Sequence, residues 1–166
     1  TYDEPLEWIS IDIPDNEDYL HYYALVVSRW DDSVRKLEIY LGGTSEFVPF
    51  GDSSSAIAIP SSSISEPADA ASVMAVGAID YTKWLTGPQE EFSSQGPTNN
   101  WNGRSARVKP DIMGPDGVTT YTYGDANFFG TSAATPHVAG MASSLLSSNP
   151  GMTPAALQTL LQSNAI

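Results

Sequence analysis

Hydrophobic and polar positions alternate through much of residues 1–64, which is the pattern of half-buried β-strands. Tyr22–Val27 is apolar on both faces, as a central strand of a sandwich would be. The candidate strands, separated by turn-forming Gly, Pro, Asp and Asn residues, are Trp8–Ile13, Tyr22–Val27, Arg35–Leu41, Phe47–Phe50 and Ser55–Ile59. Strands at this spacing predict a small antiparallel β-sandwich or jelly-roll-like module over residues 1–64.

After a serine-rich linker at Ser61–Ser65 the pattern becomes that of an α/β domain over residues 65–166. Val73–Ile79 is almost continuously apolar, which a parallel strand covered on both faces requires. A stretch rich in Gly, Pro and Asn follows, from Gly87 to Asn102, and predicts a long loop. The fold class predicted for this part is therefore α/β with a parallel sheet.

Two helices are predicted near the end of the sequence. The first begins near Ser132 and stops at Asn149–Gly151. The second has Thr153 as its N-cap and Pro154 at its first helical position, a strong start signal. Apolar residues recur at helical spacing in both: Val138, Met141, Ala142, Leu145 and Leu146 in the first, and Ala156, Leu157, Leu160 and Leu161 in the second.

The charge of the chain limits its partners. Twenty acidic residues against seven basic ones give a formal net charge of −13. Nucleic acid and anionic membranes require a basic patch, which the scattered bases do not form, so neither is a predicted partner. Solubility is the simplest reason for such a charge, with cation binding or a saline habitat as the alternative. No run of about 18 apolar residues occurs, and Thr1–Glu4 is acidic, so we expect a signal peptide to be absent or already removed.

Composition also narrows the chemistry. The sequence has no cysteine, which excludes disulfides, thiol catalysis and thiolate-bound zinc. Its two histidines, His21 and His137, lack the spacing of metal ligands, which argues against a catalytic transition metal. Hydroxyls, carboxylates and backbone groups remain as the candidates for catalysis.

The segment Gly130–Gly140 is the strongest candidate for a reactive site. It places Ser132 at the N-terminus of a predicted helix, where unpaired N–H groups and the macrodipole favour an oxyanion. Gly130 lets a substrate backbone approach closely, and Pro136 is expected within about the first turn, where its missing N–H costs nothing. A Gly-Thr-Ser run before a helix is often only an N-cap, so the residues alone leave a structural role for Ser132 open.

The same segment resembles the serine signature of the subtilisin-like serine proteases, G-T-S-x-A-x-P-H-V-A-G, at every defined position. Three preceding segments are similar to family segments in the same order, which covers about residues 66–166 together with the closing helix. They are Glu66–Asp80 (P-A…V-G-A-x-D), Phe92–Pro97 (F-S-S-x-G-P) and Arg107–Ile112 (R-x-K-P-D-I). The resemblance implies the C-terminal part of a subtilisin-like catalytic domain.

By this resemblance the protein is a serine endopeptidase. Ser132 is the nucleophile, its backbone N–H is one oxyanion donor, and a peptide carbonyl is attacked to form an acyl-enzyme. The resemblance also implies a secreted protein that acts on protein or peptide substrates.

The chain lacks the other groups that the reaction needs. The family's D-[ST]-G aspartate segment, H-G-T-H histidine segment and A-G-N asparagine segment do not occur. His137 lies five residues after Ser132, so on a helix it is turned by roughly 140° and displaced by about 7.5 Å, out of reach of the hydroxyl. His21 lies in the predicted β module, and Asp111 matches a structural position of the family. We therefore expect a fragment that is inactive alone and whose partner is the missing N-terminal half.

Other interpretations remain open. A degenerate relative could use the scaffold only for binding, although an intact Gly130–Ser132 favours the enzyme. The β module could bind a carbohydrate through Trp8 and Trp30, although aromatic residues in a small sandwich are more often core. If the sheet continues into the missing half, its open edge should make the isolated chain self-associate or bind that half.

Specificity and metal binding give weaker patterns. Ser65 and Glu66 fall where the family often builds part of its S1 pocket, so an acidic wall would favour basic side chains. Asp69 and Asp80 lie where some relatives bind calcium, but a scattered pair of aspartates does not define such a site. We predict neither a metal nor another cofactor.

Overall fold

A computed structural model describes residue 39 and residues 60–99 and 105–165. The predicted β module over residues 1–64 lies almost wholly outside this part of the chain, as do His21, Trp8 and Trp30.

The centre of the fold is a pair of parallel strands. They are β1 (Val76–Asp80) and β2 (Ile112–Asp116). Val76 lies opposite Ile112, and the register continues to Asp80 opposite Asp116. Parallel neighbours need a long connection, and here residues 81–111 supply it. The predicted α/β class with a parallel sheet is confirmed for this part of the chain.

The first strand begins three residues later than its apolar pattern predicts, at Val76 instead of Val73. Side chains from the segment before β2 hydrogen-bond to backbone groups of the residues that precede Val76. Lys109 Nζ donates to the carbonyl of Val73 at 2.5 Å, and the N–H of Ala75 donates to Asp111 Oδ2 at 2.7 Å. With these groups bound to side chains, the ladder starts only at Val76.

A short antiparallel hairpin follows the parallel pair and was not predicted. It consists of β3 (Val118–Thr120) and β4 (Gly124–Phe128), with Val118 opposite Phe128. Gly117, at φ 65°, turns the chain out of β2 into the hairpin. The hairpin returns the chain to the sheet just before the first helix.

Both helices occur where their sequence signals place them. They are α1 (Thr131–Ser148), followed by Asn149 as its C-cap, and α2 (Pro154–Ser163). Thr153 caps α2, because its Oγ1 accepts the N–H of Ala156 at 3.3 Å.

The main apolar cluster lies between the helices and the parallel strands. Its buried members are Val138 of α1 and Leu157 and Leu161 of α2. Burying side chains of this size contributes roughly 1.5–3 kcal/mol each. The partly buried residues around them are Met74, Val76, Ile112, Ala142, Leu145 and Met152. Met141 and Leu146, predicted on the apolar face of α1, are instead exposed.

The start of α1 approaches β2 very closely. Ala133 and Ala134 are fully buried, and a Cβ on Gly114 would lie 2.6 Å from the carbonyl oxygen of Ala134. Only small residues at these positions permit this approach. The small residues farther along, Ala139 and Gly140, are exposed.

The loop before β2 contains a buried ion pair, and one of its members also binds a residue of α2. Lys109 Nζ lies 2.6 Å from Asp111 Oδ2, with side chains 3% and 10% exposed. Asp111 Oδ1 accepts Gln158 Nε2 at 3.2 Å. The structural role expected for Asp111 agrees with these contacts.

Within the described ranges, neither helix combines the length and the apolar character needed to cross a membrane.

Candidate active site

Ser132 is the second residue of α1 and its side chain is exposed. No residue in the described ranges hydrogen-bonds its hydroxyl, so the oxygen faces solvent. The N–H groups of Thr131 and Ser132 belong to the first turn, which offers them no intrahelical acceptor. The geometry therefore presents a hydroxyl next to backbone donors, which suits attack on a carbonyl followed by stabilisation of its oxygen.

Gly130 forms the turn that leads into this serine. It is the N-cap of α1 with φ 107° and ψ 164°, a conformation that favours glycine. Its carbonyl accepts the N–H groups of Ala133 at 2.9 Å and Ala134 at 3.2 Å. The first helical turn is therefore closed around Ser132.

Pro136 lies deeper in α1 than the sequence suggests. The helix begins at Thr131, which makes Pro136 its sixth residue and puts it beyond the first turn. The N–H that proline lacks is the one that would bond to the carbonyl of Ser132, four residues earlier. The expectation that this proline costs nothing is wrong, because it removes a hydrogen bond from the serine itself.

His137 does not act on Ser132. Its Nδ1 contacts the carbonyl oxygen of Ala133 at 2.7 Å, on its own helix. This agrees with the geometric argument from the sequence. Within the described ranges, Ser132 therefore has no imidazole base.

Two concave surfaces include residues from the start of α1. A cleft of about 200 Å³ includes Thr131 in its lining, together with Ile64, Ser65 and Phe92. A second, of about 260 Å³, includes Ala133, Phe128 and His137. Ser132 lines neither cleft, but its neighbours Thr131 and Ala133 line one each. Of the two residues considered for an S1 pocket, Ser65 lines the first cleft, whereas Glu66 is exposed and is not among its lining residues.

Asp116 is a residue of the site that the sequence reasoning missed. It is fully buried at the end of β2, and its Oδ2 accepts the N–H of Gly130 at 3.0 Å. Its Oδ1 is buried and has no hydrogen-bond partner among the described residues. Such an unpaired buried atom costs roughly 1–3 kcal/mol, and more when the group is charged. The available sequence signal was the pair Asp116-Gly117, because Asp-Gly marks a turn.

The aspartates considered for calcium have other contacts. Asp80 Oδ1 accepts the hydroxyl of Thr82 at 2.6 Å and its N–H at 2.7 Å, and Lys83 Nζ lies 3.7 Å from Oδ2. The hydroxyl bond from Thr82, then its N–H bond, and then the charge of Lys83 lower the pKa of Asp80 below its usual value. The backbone carbonyl of Asp69 accepts the guanidinium of Arg107. The described ranges contain no group of three or more His, Cys, Asp or Glu residues arranged to hold a metal ion.

Comparisons with known proteins give matches over most of the chain. The model of the Subtilase family matches residues 50–165. Bacillopeptidase F of Bacillus subtilis (strain 168) is 30% identical over 149 residues, which cover 87% of this chain and 9% of that protein. Subtilisin amylosacchariticus, from Bacillus subtilis subsp. amylosacchariticus, and subtilisin J, from Geobacillus stearothermophilus, are each 35% identical over 105 residues.

The matched relatives are much longer than the matched segments. The two subtilisin matches cover 63% of this chain and 24% of each relative. No solved structure gives a significant match.

Proposed function

The chain belongs to the subtilase family, and we propose that it supplies the nucleophile, Ser132, of a serine endopeptidase. The chain spans 9% to 24% of the length of the relatives it matches, so the proposed activity is that of the full-length protein.

The observation that carries the proposal is the setting of Ser132. Its hydroxyl is exposed at the N-terminus of an 18-residue helix, directly after a glycine-dependent turn. A serine that only capped the helix would precede its first turn and accept a hydrogen bond from it. Ser132 lies inside the turn, and Gly130 occupies the cap position.

The proposed reaction has two steps. Ser132 Oγ attacks the carbonyl carbon of the scissile peptide and loses its proton to a base, while the carbonyl oxygen gains negative charge close to the N–H of Ser132. The C–N bond then breaks, the amine leaves with the proton, and an ester to Ser132 remains. Water attacks this ester, releases the carboxylic acid and restores the hydroxyl.

The base must come from outside this chain. No aspartate or histidine segment of the family occurs in the sequence, and His137 is engaged with Ala133. We propose that the N-terminal half of the same protein supplies it and that the isolated chain is inactive.

The same half is the proposed partner of the sheet. Within the described ranges β1 and β2 pair only with each other, which leaves an outer edge on each strand. The isolated chain should therefore self-associate, or bind the N-terminal half when that half is added. Sedimentation velocity tests this, and a monodisperse monomer at high concentration that ignores the added half would contradict it.

The substrate and the location follow from the same family membership. We propose protein or peptide substrates lying across Ser132 between the two clefts, and a secreted enzyme that needs no cofactor. The alternative, a binding scaffold without catalysis, has less support because a scaffold has no use for an exposed, unpaired serine in this turn.

The test is hydrolysis of a fluorogenic peptide library by the full-length protein and its Ser132→Ala variant. The variant should lose at least about 10⁴-fold in kcat. This magnitude comes from subtilisin, in which removal of the triad serine lowers kcat by more than that factor.

Ser143→Ala is the matched control. Ser143 lies on an exposed position of the same helix, so its loss should leave both kcat and KM unchanged. A folded full-length protein that cleaves no peptide, or a Ser132→Ala variant that remains active, would overturn the proposed function.

A further inference from the structure

The carboxylate of Asp116 is bonded differently from that of Asp111, which is largely buried. The Asp111 carboxylate accepts three donors: the N–H of Ala75, Lys109 Nζ and Gln158 Nε2. The Asp116 carboxylate accepts one, the N–H of Gly130, and its second oxygen is buried without a partner among the described residues. A buried polar atom without a partner in a native structure calls for an explanation, and a role at a functional site is one such explanation.

The one described hydrogen bond of the Asp116 carboxylate is made to the turn before the proposed nucleophile. Gly130 donates its N–H to Asp116 and accepts two helical N–H groups at its carbonyl. Both backbone polar groups of this residue are therefore fixed, one to the end of β2 and the other to the first turn of α1. Only Thr131 separates Gly130 from Ser132.

The two chain segments also pack against each other beside this bond. A Cβ on Gly117 would lie 3.0 Å from the ring of Phe129, so the ring covers the residue that follows Asp116. Gly117 has φ 65° and Gly130 has φ 107°, and both conformations favour glycine. The sheet and the start of α1 therefore pack against each other at two short segments, Asp116–Gly117 and Phe129–Gly130.

We infer that Asp116 is a positioning residue for Ser132. Its carboxylate fixes the Gly130 amide at the end of the sheet and thereby sets where the serine hydroxyl and the N–H groups of the first turn stand relative to a bound peptide. This inference rests on the proposed peptidase function. A displacement of about 1 Å in such a group is enough to lower a rate by roughly 100-fold.

The test compares four variants of the full-length protein. Asp116→Ala removes the acceptor, Asp116→Val removes it while nearly keeping the volume, and Asp116→Asn keeps an acceptor for Gly130. Asp80→Asn is the matched control, because Asp80 ends β1 in register with Asp116 but its carboxylate has only Thr82 and Lys83 as partners among the described residues. The readouts are kcat and KM for a cleaved peptide, and hydrogen exchange of the Gly130 amide.

Asp116→Ala and Asp116→Val should each lower kcat by about 10- to 100-fold, with KM changed less than about threefold. Asp116→Asn should recover most of the lost kcat, and Asp80→Asn should match wild type in kcat and KM. The Gly130 amide should exchange faster in the two variants without an acceptor and at the wild-type rate in Asp116→Asn.

Asp111→Asn separates positioning from general destabilisation, because it weakens the buried pair with Lys109 without touching Gly130. Equal losses of kcat in Asp111→Asn and Asp116→Val, at equal loss of melting temperature, would overturn the inference. So would unchanged exchange of the Gly130 amide in Asp116→Val. If the wild-type protein shows no Ser132-dependent cleavage, the proposed peptidase function is wrong. The inference about Asp116 depends on that function and would then be wrong as well.

Discussion

Asp80 and Asp116 end neighbouring strands in the same register, yet their carboxylates do different things. Asp80 is partly exposed and binds the backbone and hydroxyl of Thr82, which closes a local turn. Asp116 is buried, and the one described partner of its carboxylate is the amide of Gly130, fourteen residues away. The first contact can be anticipated from residues two positions apart, whereas the second exists only because two distant segments meet. Ser132 could be proposed as a candidate because its own segment carries the signal. Nothing in the sequence next to Asp116 indicates its contact with Gly130.

The lowered pKa of Asp80 predicts how stability depends on pH. Because the pKa in the folded state lies below the unfolded value of about 4, ionised Asp80 stabilises the fold above that pH. This stabilisation is lost as the pH falls through the folded-state pKa. Asp80→Asn should therefore lower the melting temperature at pH 7, and its difference from wild type should shrink below about pH 4. Thermal unfolding between pH 7 and pH 3 measures this.

Thr82→Val is the companion variant, since the Thr82 hydroxyl is the largest cause of the shift. It should reduce the same pH-dependent difference while leaving the carboxylate in place. A difference between wild type and Asp80→Asn that stays constant down to pH 3 would contradict the assignment.

The helices could be predicted from the sequence and most of the sheet could not. Helix ends are set by local chemistry, such as the Thr153 cap, Pro154 and the stop at Asn149. The unpredicted β2 contains Gly114 and Pro115, residues that disfavour strands, and forms because it pairs with β1. A strand that depends on a partner more than thirty residues away carries little signal of its own.

At the scale of elements, Gly114 sets the distance between β2 and α1. A Cβ there would lie 2.6 Å from the carbonyl oxygen of Ala134, a backbone atom that cannot move without shifting the helix. Gly114→Ala in the full-length protein should therefore lower the free energy of unfolding by about 1–3 kcal/mol, as measured by chemical denaturation.

Gly151→Ala provides the comparison. Gly151 lies between the helices, and a Cβ added there would have no described atom within 4 Å and no left-handed φ to strain it. This change should be neutral or stabilise by about 0.4–1 kcal/mol. Equal effects of the two substitutions would mean that the close approach of β2 and α1 does not limit the side chain at position 114.

At the scale of the whole molecule, the sequence contains the proposed nucleophile but not the family segments that would carry its base. Ser132, its turn and the two clefts lie within residues 60–99 and 105–165, and the family match begins at residue 50. The aspartate, histidine and asparagine segments of the family do not occur anywhere in the sequence. We therefore propose that the reaction belongs to the full-length protein and that this chain supplies the hydroxyl and the N–H of Ser132.

The most direct measurement is covalent labelling with a fluorophosphonate, followed by mass spectrometry to locate the adduct, on the full-length protein and on the isolated chain. We predict an adduct on Ser132 in the full-length protein only, and none in the Ser132→Ala variant. An adduct on a different serine, or no reaction of a folded full-length protein, would contradict the proposal that Ser132 is the nucleophile. Labelling of the isolated chain at Ser132 would show that the base does not have to come from outside it.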